Sequence, residues 1–130
     1  MKKKYMHKDS QVYAKLKNAR TSVKKSRVVA ELIRGLPVLE AKKVLSFHES
    51  KAAKIFLRVL KSAEANAINN TKLSQDSLFV SDAQVYAGPT MKRGRIVACS
   101  RLSPILKRTS HIVVGLSSHP QVLVEKKGDK

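Results

Sequence analysis

Between Ala83 and Val124 the chain contains no Asp and no Glu, and this acid-free run limits what its C-terminal part can fold into. The centre of the run, GPTMKRGRIVACSRLSPILKRTSH from Gly88 to His111, carries six cations: Lys92, Arg93, Arg95, Arg101, Lys107 and Arg108. Residues 78–87 and 105–116 flank it and read as strands. They predict an antiparallel hairpin whose connection is centred near Cys99. A lone two-stranded ribbon is marginal in water, and unopposed positive charge weakens it further. Some ten residues per arm would reach about 33 Å at strand rise, against a radius of gyration of roughly 14 Å for a chain of this length. The body cannot cover such an arm. Its apolar residues (Met91, Ile96, Val97, Leu102, Ile105, Leu106) have little use in a free loop. The expectation is therefore an arm clasped by an anionic surface outside the body. Pro104 has no N–H to give and suits an outward-facing ribbon edge.

The rest of the charge agrees. Formal net charge is +18 and the sequence pI is about 10.4, which points to a polyanion, and first to nucleic acid. Residues 1–27 carry ten Lys or Arg against one acid, Asp9. Residues 28–82 carry eight against six, so the middle reads as an ordinary folded body. At 130 residues a single domain, 1–130, is expected, with a core at about 11–117, the arm at about 88–110 and polar tails at 1–10 and 118–130. Cys99 is the only cysteine, so no intramolecular disulfide is possible, which suits a reducing compartment. The start MKKKYMHKDSQ has no apolar h-region and does not read as a secretory signal. No apolar run approaches the roughly 18 residues of a membrane span.

The body reads as α+β: a small antiparallel three-stranded sheet packed against three helices, with a long protruding β-hairpin. Residues 11–18 alternate, with Val12, Ala14 and Leu16 on the inward side. Thr21 or Ser22 caps a first helix that stops at Gly35, with Val29, Leu32 and Ile33 inward and Val28 at the edge. Pro37 suits a first helical turn. A short second helix follows at 38–46, with Val38, Ala41, Val44 and Leu45 inward. Ser50 caps a third helix over 51–69, where Ala52, Phe56, Val59, Leu60, Ala63 and Ala67 recur at helical spacing. Phe79, Ala83 and Val85 then point inward from one strand, and Ile112, Val114 and Leu116 from the last.

Enzyme chemistry is not legible. His7, His48, His111 and His119 are scattered without ligand spacing, and no pair of acids suggests proton transfer. No metal site, no cofactor and no catalytic residue is expected. Aromatic residues end at Tyr86, so the arm lacks the stacking platforms of single-strand binders. Phosphate contacts position without reading sequence, and a folded RNA recognised by shape and phosphate fits best.

At GPTMKR (88–93) and ILKRTSHIVVGL (105–116) the sequence resembles the bacterial-type large-subunit ribosomal protein twenty-two (L-twenty-two) family. ARTSVKKSRVVAELIRG resembles that family's first helix, and KSAEANAINN the end of its long helix; the resemblance covers about residues 12–116. It implies a structural constituent of the large ribosomal subunit, without catalytic activity, that binds large-subunit ribosomal RNA and supports assembly. It implies a hairpin along the nascent-peptide exit tunnel of a ribosome, cytoplasmic with an organellar ribosome as the alternative, beside neighbouring large-subunit proteins and the nascent peptide. Neither a membrane partner nor a homo-oligomer is expected. Residue by residue it implies RNA contact at Lys92, Arg93, Arg95, Arg101, Lys107 and Arg108 on the arm and at Thr109, Ser110 and His111 at its base. Arg20, Lys24, Lys25 and Arg27 would contact RNA from the first-helix region. The tunnel tip would be Ile96, Val97, Ala98, Cys99 and Ser100. There the chain departs from the family, which usually has a basic residue where Val97 stands and a glycine where Ser100 stands.

A winged-helix DNA-binding regulator is the alternative, since helices followed by a hairpin wing give a similar element order. Its second helix would have to read bases, and this short one offers no obvious reading face. A connection of about 23 residues is also long for a wing.

Overall fold

The computed structural model describes residues 11–118; the tails expected at 1–10 and 118–130 lie outside the described residues apart from Ser118. Strand β1 (Val12–Ala19) leads into helices α1 (Val23–Ile33), α2 (Val38–Phe47) and α3 (Lys51–Thr71). A short 3-10 turn, Gln75–Ser77, precedes β2 (Phe79–Ala87), β3 (Met91–Ile96), β4 (Leu102–Lys107) and β5 (Ser110–Ser117). The main sheet has the order β1-β5-β2, antiparallel throughout, and β3 and β4 form a separate two-stranded ribbon.

β5 takes the centre because it is the strand best able to be buried. Ile112, Val114 and Leu116 are fully buried, and Val113 on the opposite face is 8% exposed. Its β-branched alternation supplies the inner face against which the helices pack. α3 lies across β1 and β5, and its small Ala63 and Ala67 let the sheet approach closely. Phe56 and Leu60 from α3, Ile33 from α1 and Leu45 from α2 complete the core. Burying each such side chain stabilises the fold by about 1.5–3 kcal/mol.

Several inward assignments change. Leu32 is 44% exposed, and Ser26 takes its place on the buried face of α1 with Val29, Ala30 and Ile33. Ser26 tolerates burial because its hydroxyl is hydrogen-bonded to Thr21 Oγ1 at 2.7 Å. Val44 faces outward from α2. Val80 replaces Phe79 as the inward residue of β2, because a bulge between Val80 and Asp82 shifts the register there. α3 runs two residues past the expected Asn69, since the Asn pair does not break it. Lys72 then closes it in the left-handed region at φ 53°. Pro37 stands just outside α2 and bridges to Phe79.

The segment 105–116, read as one strand, is two. β4 ends at Lys107 and β5 starts at Ser110. Opposite this break, Gly88, Pro89 and Thr90 separate β2 from β3, so three residues face the two of Arg108 and Thr109. An extra residue on one side of an antiparallel pair bends the ribbon and raises its twist. The paired ribbon is also shorter than ten residues per arm. It has six pairs, from Met91↔Lys107 to Ile96↔Leu102, about 20 Å at strand rise.

Candidate nucleic-acid interface

Alternation along a strand puts directly paired residues on one face of a ribbon. The register therefore sorts the arm into two unlike faces. One carries Arg93 and Arg95 from β3 and Lys107 from β4, with Met91, Ile105 and Ser103. The other carries Leu106, Pro104, Leu102 and Ile96, with Gly94 and a single cation, Lys92. Leu102 lies over Gly94: a Cβ at that glycine would sit 2.7 Å from Leu102 Cδ1. Every residue from Lys92 to Arg108 is exposed, so the body covers neither face of this run. At the tip, Val97 N–H donates to the Arg101 carbonyl at 2.9 Å, centring the turn on Cys99. Cys99 and Ser100 have φ of 59° and 55°. A glycine adopts that region without the steric cost an L side chain meets. Cys99 and Ser100 are thus held in an unfavourable backbone state.

The cationic face continues into the body. Met91 and Lys107, the pair at its base, line a cleft of about 710 Å³ with Arg20, Thr21, Ser22 and Lys25 before and in α1 and Ser50 and Lys51 at the start of α3; of the other ribbon face only Leu106, at its base, reaches the same cleft. Arg108 lines it too, and so contributes a fifth cation without one acid among the lining residues. On the other side of Arg108 is a second cleft of about 620 Å³, lined by Lys24, Arg27, Gly88, Thr90 and Thr109 among others, again without an acid.

Both helices that begin at the first cleft carry the wrong charge for their own stability. α1 has Lys24 and Lys25 in its first turn and α3 has Lys51 and Lys54, and neither has an acid there. Cations near a helix N-terminus oppose its macrodipole, at a cost of about 0.3–1 kcal/mol where exposed. α2 starts away from the cleft and has the ordinary arrangement, with Glu40 in its first turn. An anion in the cleft reverses the penalty, because it meets free backbone N–H groups and lysines together. Ser22, the N-cap of α1, makes no side-chain cap bond, whereas Ser50 accepts from Ala53 N–H at 3.1 Å.

Three of the residues expected at the base of the arm support it from behind. Ser110 is fully buried, and its hydroxyl lies 3.1 Å from Thr21 Oγ1. Thr109 Oγ1 donates to the Pro89 carbonyl at 2.7 Å, and the Gly88 N–H donates to the Thr109 carbonyl at 3.0 Å. His111 is half-buried and accepts the Asn18 N–H on Nδ1. These contacts tie the ribbon base to β1 and α1. Arg20, Lys24, Lys25, Arg27, Lys107 and Arg108 line the two clefts, Arg93 and Arg95 extend the first along the ribbon, and Arg101 sits beside the tip turn. Lys51 was missed in the sequence, although a Ser cap followed by Lys and no acid was the signal. Among the described residues no group of His, Cys, Asp or Glu could hold a metal ion. No described helix is long and apolar enough to cross a membrane.

The sequence profile of the family described as Ribosomal protein L22p/L17e matches residues 14–117. The chain belongs to this family. It is thus a protein of the large ribosomal subunit and not an enzyme, and the winged-helix alternative is set aside. Membership implies association with ribosomal RNA and other ribosomal proteins, and a place in the cytoplasmic ribosome. The matched segment contains every described element, β1 from Ala14 onward, so the clefts and the ribbon are features of the family region rather than additions to it.

Proposed function

We propose that the chain grips large-subunit ribosomal RNA along one continuous cationic surface and lays its ribbon on the RNA wall of the peptide exit tunnel. The observation that carries this reading is the join between ribbon and cleft. Arg95, Arg93 and Lys107 share a ribbon face, and Lys107 lines the cleft that also holds Arg20, Lys25 and Lys51. A sugar-phosphate backbone lying there meets cations at each step and both helix N-termini. The opposite ribbon face beyond Leu106, with Pro104, Leu102 and Ile96, turns away from the RNA toward the lumen, where it meets the nascent peptide, while Leu106 itself stays at the edge of the cleft. Assembly follows from the same contacts: RNA segments that touch ribbon and body together are held at a fixed angle by the Gly88–Thr109 clasp.

The test is binding of the full chain to deproteinised large-subunit RNA across a salt series. Each phosphate neutralised contributes about 0.7–0.9 to the log–log slope, so the surface above gives a steep slope. A flat response contradicts the reading. So does tighter binding to a particular DNA duplex.

A further inference from the structure

A third acid-free concavity lies apart from the ribbon, between β1 and α3. It has a volume of about 590 Å³, within the roughly 300–1,000 Å³ of small-ligand sites. Its rim is Lys15 on β1, Arg20 just after it and Lys51, Lys54 and Arg58 on α3, and its floor includes Leu16 and Ile55. We propose that this groove binds an unpaired stretch of ribosomal RNA, with a base on the aliphatic floor and the flanking phosphates on the cationic rim. The proposal rests on the RNA reading above and assigns it a second strand, in a groove that adjoins the first cleft through Arg20 and Lys51.

Two observations lead there. The first is the charge of α3. Lys51, Lys54 and Arg58 recur at helical spacing and line the same groove, and no acid lines it with them. Lysines on an edge strand such as β1 discourage strand pairing, but that does not account for three cations on the facing helix. The second is Leu16. The alternation of β1 directs it inward with Val12 and Ala14, yet it is 36% exposed against 7% for each of those. The β1–β5 register breaks just beyond it, and Asn18 turns at φ 56°. Leu16 is thereby left on the groove floor rather than in the core.

Cations alone would suit a duplex, which presents phosphates and sugars and keeps its bases stacked inside. An apolar floor between them gives a duplex nothing. An unpaired strand splays its bases, each with an apolar face, and leaves its phosphates at the rim. Aromatic platforms are absent from the groove, so the contact is aliphatic and indifferent to base identity.

Lys54→Gln with Arg58→Gln, two exposed residues, removes two rim charges from the full chain without touching the core. Against deproteinised large-subunit RNA, the log–log salt slope is expected to fall by about 1.4, two contacts to a single strand. A photoreactive phenylalanine analogue in place of Leu16 is expected to crosslink to unpaired nucleotides, and poly(U) to compete for that crosslink. An unchanged slope overturns the proposal, as does a crosslink to paired nucleotides or, in assembled subunits, only to a protein. If the unsubstituted chain itself shows no salt slope, the RNA reading fails. If its slope is steep and the variant's equals it, only the groove assignment fails.

Discussion

Two glycines separate what the ribbon needs from what it tolerates. A Cβ at Gly88 would lie 2.5 Å from Thr109 Oγ1 and 3.3 Å from the Thr109 carbonyl carbon. The hydroxyl cannot move aside without leaving Pro89, whose carbonyl it holds. Gly88→Ala is expected to destabilise the protein by about 1–3 kcal/mol, the range for overpacking, read as a lower denaturation midpoint at unchanged m-value. At Gly94 the obstacle is the far end of Leu102, which is 68% exposed and free to turn. Gly94→Ala is expected to leave the midpoint within about 0.5 kcal/mol, as surface changes do. A loss at Gly94 equal to that at Gly88 would contradict the clasp. The sequence showed both glycines in a basic arm but not which one was sterically locked, because that depends on a partner twenty-one residues away, Thr109.

At the scale of elements, the ribbon base is fastened by hydroxyls rather than by apolar contact. Thr21 Oγ1 lies 2.7 Å from Ser26 Oγ and 3.1 Å from Ser110 Oγ, joining the turn before α1 to α1 and to β5. All three residues are buried. Thr21→Val keeps the shape and leaves both serines without this partner. It is expected to cost about 2–3 kcal/mol, since an unsatisfied buried group costs about 1–3 kcal/mol. Ser26→Ala leaves the Thr21–Ser110 bond in place and is expected to cost about 1 kcal/mol. Chemical denaturation of the two variants checks the order; a larger loss for Ser26→Ala would contradict it. Periodicity made the helices and the sheet legible, because Val38, Ala41 and Leu45 or Ile112, Val114 and Leu116 repeat at the spacing of their element. It misplaced Leu32 and Ser26, because a buried serine is decided by its hydrogen-bond partner and not by its hydropathy. The break at Arg108–Thr109 was hidden for the same kind of reason. Nothing in ILKRTSHIVV signals a strand end, and the bend is made by Gly88, Pro89 and Thr90 across the ladder.

Across the whole molecule the charge is sorted. The near-balanced middle of the chain supplies the core, while the cations of α1, α3 and the ribbon gather at clefts lined by no acid. Charge counting located the basic arm and the first-helix cations from sequence alone. The two-faced ribbon was not legible, because alternation becomes a face only once the register fixes which residues stand opposite. Lys92, Arg93 and Arg95 look equivalent in the string MKRGR, yet Lys92 pairs with Leu106 on the apolar face and the two arginines stand on the other. One measurement reaches that division directly: the affinity of the full chain for deproteinised large-subunit RNA, at several salt concentrations, for Arg93→Gln with Arg95→Gln and for Lys92→Gln. The double variant is expected to lose about 1.4–1.8 from the log–log slope, at about 0.7–0.9 per phosphate, with Lys92→Gln close to the unsubstituted chain. A slope that falls by the same amount per charge at Lys92 as at the arginines would contradict it.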